Sequence, residues 1–156
     1  QDAANSGVGH CLIRLAKQEG VKTVNVVRRE GLDKELKEIG ADIVVKDSQN
    51  LAEEVKELTN SAKIKLAIDA VGGDQVLRLG DCLDEKGTIL NYGLLSGKNI
   101  EMSSYQTVFK SLVLTGFWLS PWLQNMSRKE VFELYNFLAT LFFILLVGSM
   151  MLLKIL

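Results

Sequence analysis

The chain has 156 residues and a formal net charge of −1, from 18 basic and 19 acidic side chains. Hydrophobic residues make up 47% and charged residues 24%, which is ordinary globular usage and excludes global disorder. The near-balance of charge excludes a general electrostatic nucleic-acid binder, two cysteines exclude a disulfide scaffold, and one histidine leaves little for a zinc site.

Strands and helices are predicted to alternate over the first 136 residues. Residues 7–19 carry Val8, Cys11, Leu12, Leu15 and Ala16 on one helical stripe, stopped by Gly20. A β-rich run over 21–27 reads as a strand. A short charged helix over 32–39 and a strand over 42–45 follow, with Gly40 between them. Asp47 or Ser48 is a candidate cap for a helix running to about Leu58. Residues 65–71 read as a strand ending in Gly72-Gly73, and Asp74 opens a helix to about Leu83. A strand over 87–92 closes on Gly93, a helix is expected over 103–111, and a strand over 112–119. Ser127 and Glu130 have capping-box spacing at the start of a final helix. Apolar strands alternating with helices mean a parallel sheet covered on both faces, with ligands at the carboxyl ends of its strands.

The segment Asn5-Ser6-Gly7-Val8-Gly9 is a small-residue loop at a helix N-terminus. Free N–H groups and the positive end of the helix dipole suit an anionic phosphate there. The strict G-x-G-x-x-G is absent, with Ala4, Ser6 and Gly9 at its three glycine positions. About 20 residues on, the strand end reads Val26-Val27-Arg28-Arg29-Glu30. An arginine at that point favours NADP over NAD, because a guanidinium is a forked, permanently charged partner for a 2′-phosphate. Asp69-Ala70-Val71-Gly72-Gly73, Asn91-Tyr92-Gly93 and Gly116-Phe117-Trp118-Leu119 end later strands and converge on the same site.

These motifs, together with Thr23–Arg28 and the Gly116-Phe117-Trp118-Leu119-Ser120 segment, resemble mitochondrial trans-2-enoyl-CoA reductases, also called enoyl-acyl-carrier-protein reductases. These form a zinc-free branch of the medium-chain dehydrogenase/reductase superfamily. The likeness covers residues 1 to about 138. It implies a Rossmann-type doubly wound parallel sheet and an NADPH-dependent reduction of the 2,3 double bond of enoyl-CoA or enoyl-ACP, within mitochondrial fatty-acid synthesis. By resemblance, Asn5, Ser6, Gly7, Val8 and Gly9 serve the pyrophosphate, and Arg28 and Arg29 the 2′-phosphate. Tyr92, Gly93, Leu94, Leu95, Phe117, Trp118 and Leu119 line the nicotinamide side. The resemblance also implies no metal, mitochondrial localisation and a homodimer for the full-length member. Its proton-donating tyrosine belongs to a preceding catalytic domain, so no catalytic residue is expected in this chain and little activity from it alone.

Two features depart from that pattern. Most of the first strand of the nucleotide fold is missing before Gln1, which is expected to leave neighbouring strands with unpaired backbone groups. From Phe137 to Leu153 there are 17 residues with no ionisable side chain, which accounts for the mean hydropathy of +0.15. Residues 1–138 are therefore expected to form an incomplete NADP-binding domain and residues 139–156 an apolar, non-family tail. Three readings of the tail stay open: a membrane helix with contact through residues 137–153, a buried core helix, and a C-terminus of foreign origin. A quinone-oxidoreductase-like NADPH enzyme and a non-catalytic truncated isoform acting as an interaction module remain alternatives. His10 reads as a surface residue, and Cys11 and Cys82 as small core residues.

Overall fold

The computed structural model describes residues 1–152, with side chains through residue 140. The chain divides into a unit of residues 1–117 and a second unit from Trp118 onward. The first unit runs α1 (Gly7–Gln18), β1 (Val24–Val27), α2 (Asp33–Glu38), β2 (Ile43–Lys46), α3 (Leu51–Leu58), β3 (Leu66–Asp69), α4 (Gln75–Cys82), β4 (Thr88–Asn91), a π turn (Tyr105–Phe109) and β5 (Val113–Gly116). Every strand pairing is parallel, with β1 against β2 and β3-β4-β5 in a second group. Alternation of short β-branched runs with amphipathic helices produces this arrangement, as expected for an α/β fold.

The two strand groups are joined by the chain's first residues. Gln1 N–H donates to Val24 O at 2.8 Å, and Gln1 O accepts from Val26 N–H at 2.8 Å. On the other side, Asp2 N–H donates to Ile68 O at 3.1 Å and Asp2 Oδ1 accepts from Ala70 N–H at 2.8 Å. The sheet order is thus β2-β1-(1–4)-β3-β4-β5. This corrects the expectation of unpaired neighbouring strands in part: the first four residues pair the carboxyl ends, with three backbone bonds to β1 and one to β3.

Two apolar clusters flank the sheet. One gathers Val26, Val45, Leu51, Val55, Ala67, Val76, Leu79 and Ile89, and the other Ala4, Ile13, Val27, Leu32, Leu36 and Ala41. Cys82 packs against the first cluster, and both cysteines are half-buried free thiols. Gly9 is required where α1 crosses the loop, because a Cβ there would run into the carbonyls of Ala3 and Ala4.

Several local expectations are corrected. The cap of α3 is Asn50, with no side-chain bond, and Asp47 is committed elsewhere. The helix predicted over 103–111 is a five-residue π turn. There the buried Gln106 amide donates to Leu77 O and Asp81 Oδ1, a side chain that fits only because Gly80 lacks a Cβ. The last strand stops at Gly116, so Trp118 and Leu119 belong to the second unit.

That unit contains α5 (Leu119–Gln124), to which the sequence reading assigned no element beyond a strand ending at Leu119, and α6 (Arg128–Leu152). The Ser127 box forms as expected: Ser127 N–H donates to Glu130 Oε2 at 2.7 Å and Glu130 N–H to Ser127 Oγ at 3.3 Å. Among the described residues no helix is long and apolar enough to cross a membrane. The expected apolar tail over 139–156, and with it the expected membrane contact through 137–153, lies almost wholly on side chains outside the described residues.

Asp2 and Asp69 are both buried where the first segment meets β3, at 2% and 0% exposure. Burial first, and a hydrogen bond with Asp69 second, push the Asp2 carboxyl up to about 8. With a proton on Asp2 its carboxyl can act as a donor beside Asp69, whose own oxygens accept from Val71 N–H, Gly72 N–H and Asn91 Nδ2. A carboxyl whose folded pKa lies above its unfolded value takes up a proton on folding, so it removes stability as pH rises between the two values. Thermal unfolding should therefore show stability falling from about pH 4 to about pH 8 through Asp2. Asp2→Asn is expected to reduce that fall by several degrees in Tm, and an unchanged pH profile would contradict it. Gly9→Ala gains about 1 kcal/mol of helix propensity but meets backbone atoms. A net loss of about 1–3 kcal/mol by urea denaturation is expected.

Candidate functional site

A cavity of about 460 Å³ opens at the carboxyl ends of the strands in the first unit. Asn5 and Ser6 line it from the loop before α1, Arg28 from the end of β1, and Asp47 from the end of β2. Gly72, Asp74, Gln75 and Arg78 close it from α4 and the turn before it, and Leu95, Ser96 and Lys98 from the segment after β4. It lies where the strand order reverses direction, the point at which open α/β sheets bind ligands.

The loop is built from its own backbone. Ser6 caps α1, its Oγ accepting from Gly9 N–H at 3.1 Å. Ala3 adopts a left-handed φ of 42°, and Ser6 N–H donates back to Ala3 O at 2.8 Å. With Gly9 N–H bonded to Ser6 Oγ and His10 N–H to Ser6 O, helix geometry leaves the N–H groups of Gly7 and Val8 without intrahelical acceptors. Gly7 and Val8 are exposed, and a Cβ at Gly7 would meet nothing within 4 Å. An anion can approach these donors along the dipole of a 12-residue helix.

The turn after β3 is held by Asp69, which accepts from Gly72 N–H at 3.0 Å. Gly72 and Gly73 take φ values of 72° and 66°, the left-handed region that favours glycine. Tyr92 is half-buried at the end of β4, and burial pushes its hydroxyl pKa up. Gly93 is needed for a protein contact, because a Cβ there would run into Ala70 O.

Of the residues singled out from the sequence, Asn5, Ser6, Arg28 and Leu95 are gathered on this cavity. Arg29 is exposed and outside its lining. Leu94 is exposed beside Leu95, and Phe117 is exposed just past the edge strand β5. Trp118 and Leu119, also exposed, lie in the second unit. His10 faces Glu35 across 3.6 Å. Among the described residues, no group of three or more His, Cys, Asp or Glu side chains is arranged to hold a metal.

Sequence reasoning missed Asp47, Arg78 and Lys98. Arg78 donates from Nε and NH2 to the two Asp47 oxygens at 2.7 Å each, and from NH1 to Asp74 Oδ2 at 2.6 Å. These bonds raise the Arg78 pKa, with the Asp47 contact the largest cause, and hold Asp74 below the usual carboxylate range. Asp47 offered one signal, a carboxylate directly after a strand, but nothing local marked Arg78 for the cavity, since its forked partner lies 31 residues away.

Residues 7–139 match the model of the zinc-binding dehydrogenase family. A mitochondrial enoyl-[acyl-carrier-protein] reductase of Arabidopsis thaliana is 39% identical over 143 residues, covering 88% of this chain and 38% of the relative. The chain therefore spans about two fifths of that relative's length. A solved Bacillus thuringiensis protein assigned as an NADPH:quinone reductase superposes with a TM-score of 0.79 at 29% identity, over 90% of this chain and 42% of that one. The complex of Etr1p with NADP and crotonyl-CoA superposes with a TM-score of 0.76 at 26% identity, over 90% and 40%. With a parallel nucleotide-type sheet, a phosphate-ready loop and a family match over most of its length, this chain belongs to the zinc-binding dehydrogenase family.

Proposed function

We propose that this chain is the NADP(H)-binding part of an enoyl thioester reductase. One observation carries the cofactor half of this reading: the helix-start loop at Asn5-Ser6 and the guanidinium of Arg28 line a single cavity. The substrate half is supported by the named activity of the Arabidopsis relative and by the crotonyl-CoA bound in the Etr1p complex. The donor set fits the cofactor. The Gly7 and Val8 N–H groups and the α1 dipole suit a pyrophosphate, and Arg28 with Lys98 supplies cations for a third phosphate. Arg78 supplies none, because two carboxylates already neutralise it.

The bound cofactor supplies the hydride that reduces the enoyl double bond. This chain's residues position it. The loop fixes the pyrophosphate, Arg28 selects the phosphorylated ribose, and Tyr92 with Gly93 sets the end of β4 on the nicotinamide side. Leu94, Leu95 and Phe117 add exposed apolar surface on the same unit, where an acyl thioester can be kept from water. Within this reading the protein works in mitochondrial fatty-acid synthesis, the parent enzyme pairs as a homodimer, and the chain holds no resident metal.

Fluorescence titration with NADPH and NADH tests the proposal. NADPH is expected to bind at least about tenfold more tightly, and Arg28→Ala to remove most of that preference while leaving NADH binding within about twofold. Arg29→Ala should have the smaller effect, since Arg29 does not line the cavity. A preference for NADPH that survives both substitutions would overturn the assignment of the phosphate site.

A further inference from the structure

Arg78 and Asp47 form a two-pronged ion pair in the cavity wall. The fork places both guanidinium nitrogens 2.7 Å from the two carboxylate oxygens, and the side chains are 13% and 16% exposed. Asp74 takes the remaining terminal nitrogen at 2.6 Å. The trio carries two carboxylates against one guanidinium, so it repels phosphate rather than binding it. Its presence in the same cavity as Arg28 calls for a different ligand group.

Sheet order points to which group. The loop stands over the first segment, Arg28 ends β1, and Asp47 follows β2, one strand further out. Asp47 N–H donates to Val27 O at 2.8 Å, which keeps it level with Arg28. Pyrophosphate on the loop and ribose at the end of β1 set a direction outward across the sheet, and continuing it by one strand brings the base toward the end of β2. A carboxylate offers about four lone-pair sites, of which the Arg78 fork occupies two. The rest are acceptors, and a permanently charged guanidinium keeps the group ionised and oriented.

We propose that Asp47 reads the base of the bound dinucleotide, accepting a hydrogen bond from the exocyclic amino group of adenine, with Arg78 as its positioning residue. The inference rests on the cofactor reading above. A 6-oxo purine presents a carbonyl oxygen where adenine presents an N–H donor. A carboxylate held in place against that oxygen loses a bond and gains a repulsion, which is how a built polar site rejects an analogue.

The test is calorimetric titration of the full chain with NADP and with its deamino analogue, whose base is hypoxanthine. The deamino form is expected to bind about tenfold or more weakly. Asp47→Asn, whose amide can donate to the 6-oxo group, should bring the two within about threefold. Arg78→Lys, which keeps the charge but loses the fork, should also narrow the ratio. A role confined to structure would weaken both nucleotides equally and leave the ratio unchanged, which overturns the proposal. If the variants fail to fold, the unaltered chain still decides, because equal binding of the two nucleotides removes base reading by Asp47. NADP binding without discrimination defeats this inference alone, whereas no binding of either nucleotide defeats the cofactor reading with it.

Discussion

Four residues at the start of the chain hold the nucleotide unit together. Gln1 and Asp2 bond to β1 on one side and β3 on the other, so that two strand groups become one sheet. Every functional position is defined by that junction. The loop leaves it directly, Arg28 sits one strand away, and the β3 turn is tied to it through Asp2 and Asp69. The join is largely polar and buried, and buried polar groups hold only when paired. Asp2 meets this condition by retaining a proton next to Asp69, which places a titratable group beneath the site where phosphate is expected.

The cavity above separates charge by function. Arg28 and Lys98 remain exposed and lack a forked carboxylate partner, while Arg78 is enclosed by Asp47 and Asp74. A long arginine on α4 thus orients an acid, and in the proposed cofactor reading the phosphate cations come from a strand end and from the segment after β4. This division explains how a wall with three cations and two carboxylates can hold an anion at one end and an amino group at the other. It also explains why Asp47 does not cap α3: its carboxylate is held against Arg78 on α4.

Much of this was legible in the sequence because it rests on local signals. Strand and helix periods marked all ten elements of the first unit within a few residues, apart from the change from a helix to a π turn near Gln106. The Ser127–Glu130 box involves partners three residues apart, and it forms. The reading was weaker where a residue had competing uses. Asp47 looked like a helix cap and Asp74 like a helix start; Asp74 does stand at the N-cap of α4, but neither carboxylate makes a cap bond, because an arginine 31 and 4 residues away offers a charge-assisted bond instead. Phe117, Trp118 and Leu119 looked like one strand end, but the backbone turns into α5 and divides them.

The sequence by itself determined the alternating α/β order, the phosphate-ready loop, the arginine at the end of β1 and the resemblance to enoyl thioester reductases. Each depends on composition and spacing within about 20 residues. Only the tertiary structure decided that Gln1–Ala4 bridge both strand groups, that Arg28 but not Arg29 reaches the cavity, and that Arg78 grips Asp47. These contacts join residues 20 to 70 positions apart, and side-chain hydrogen bonding across strands leaves no periodic trace in the chain.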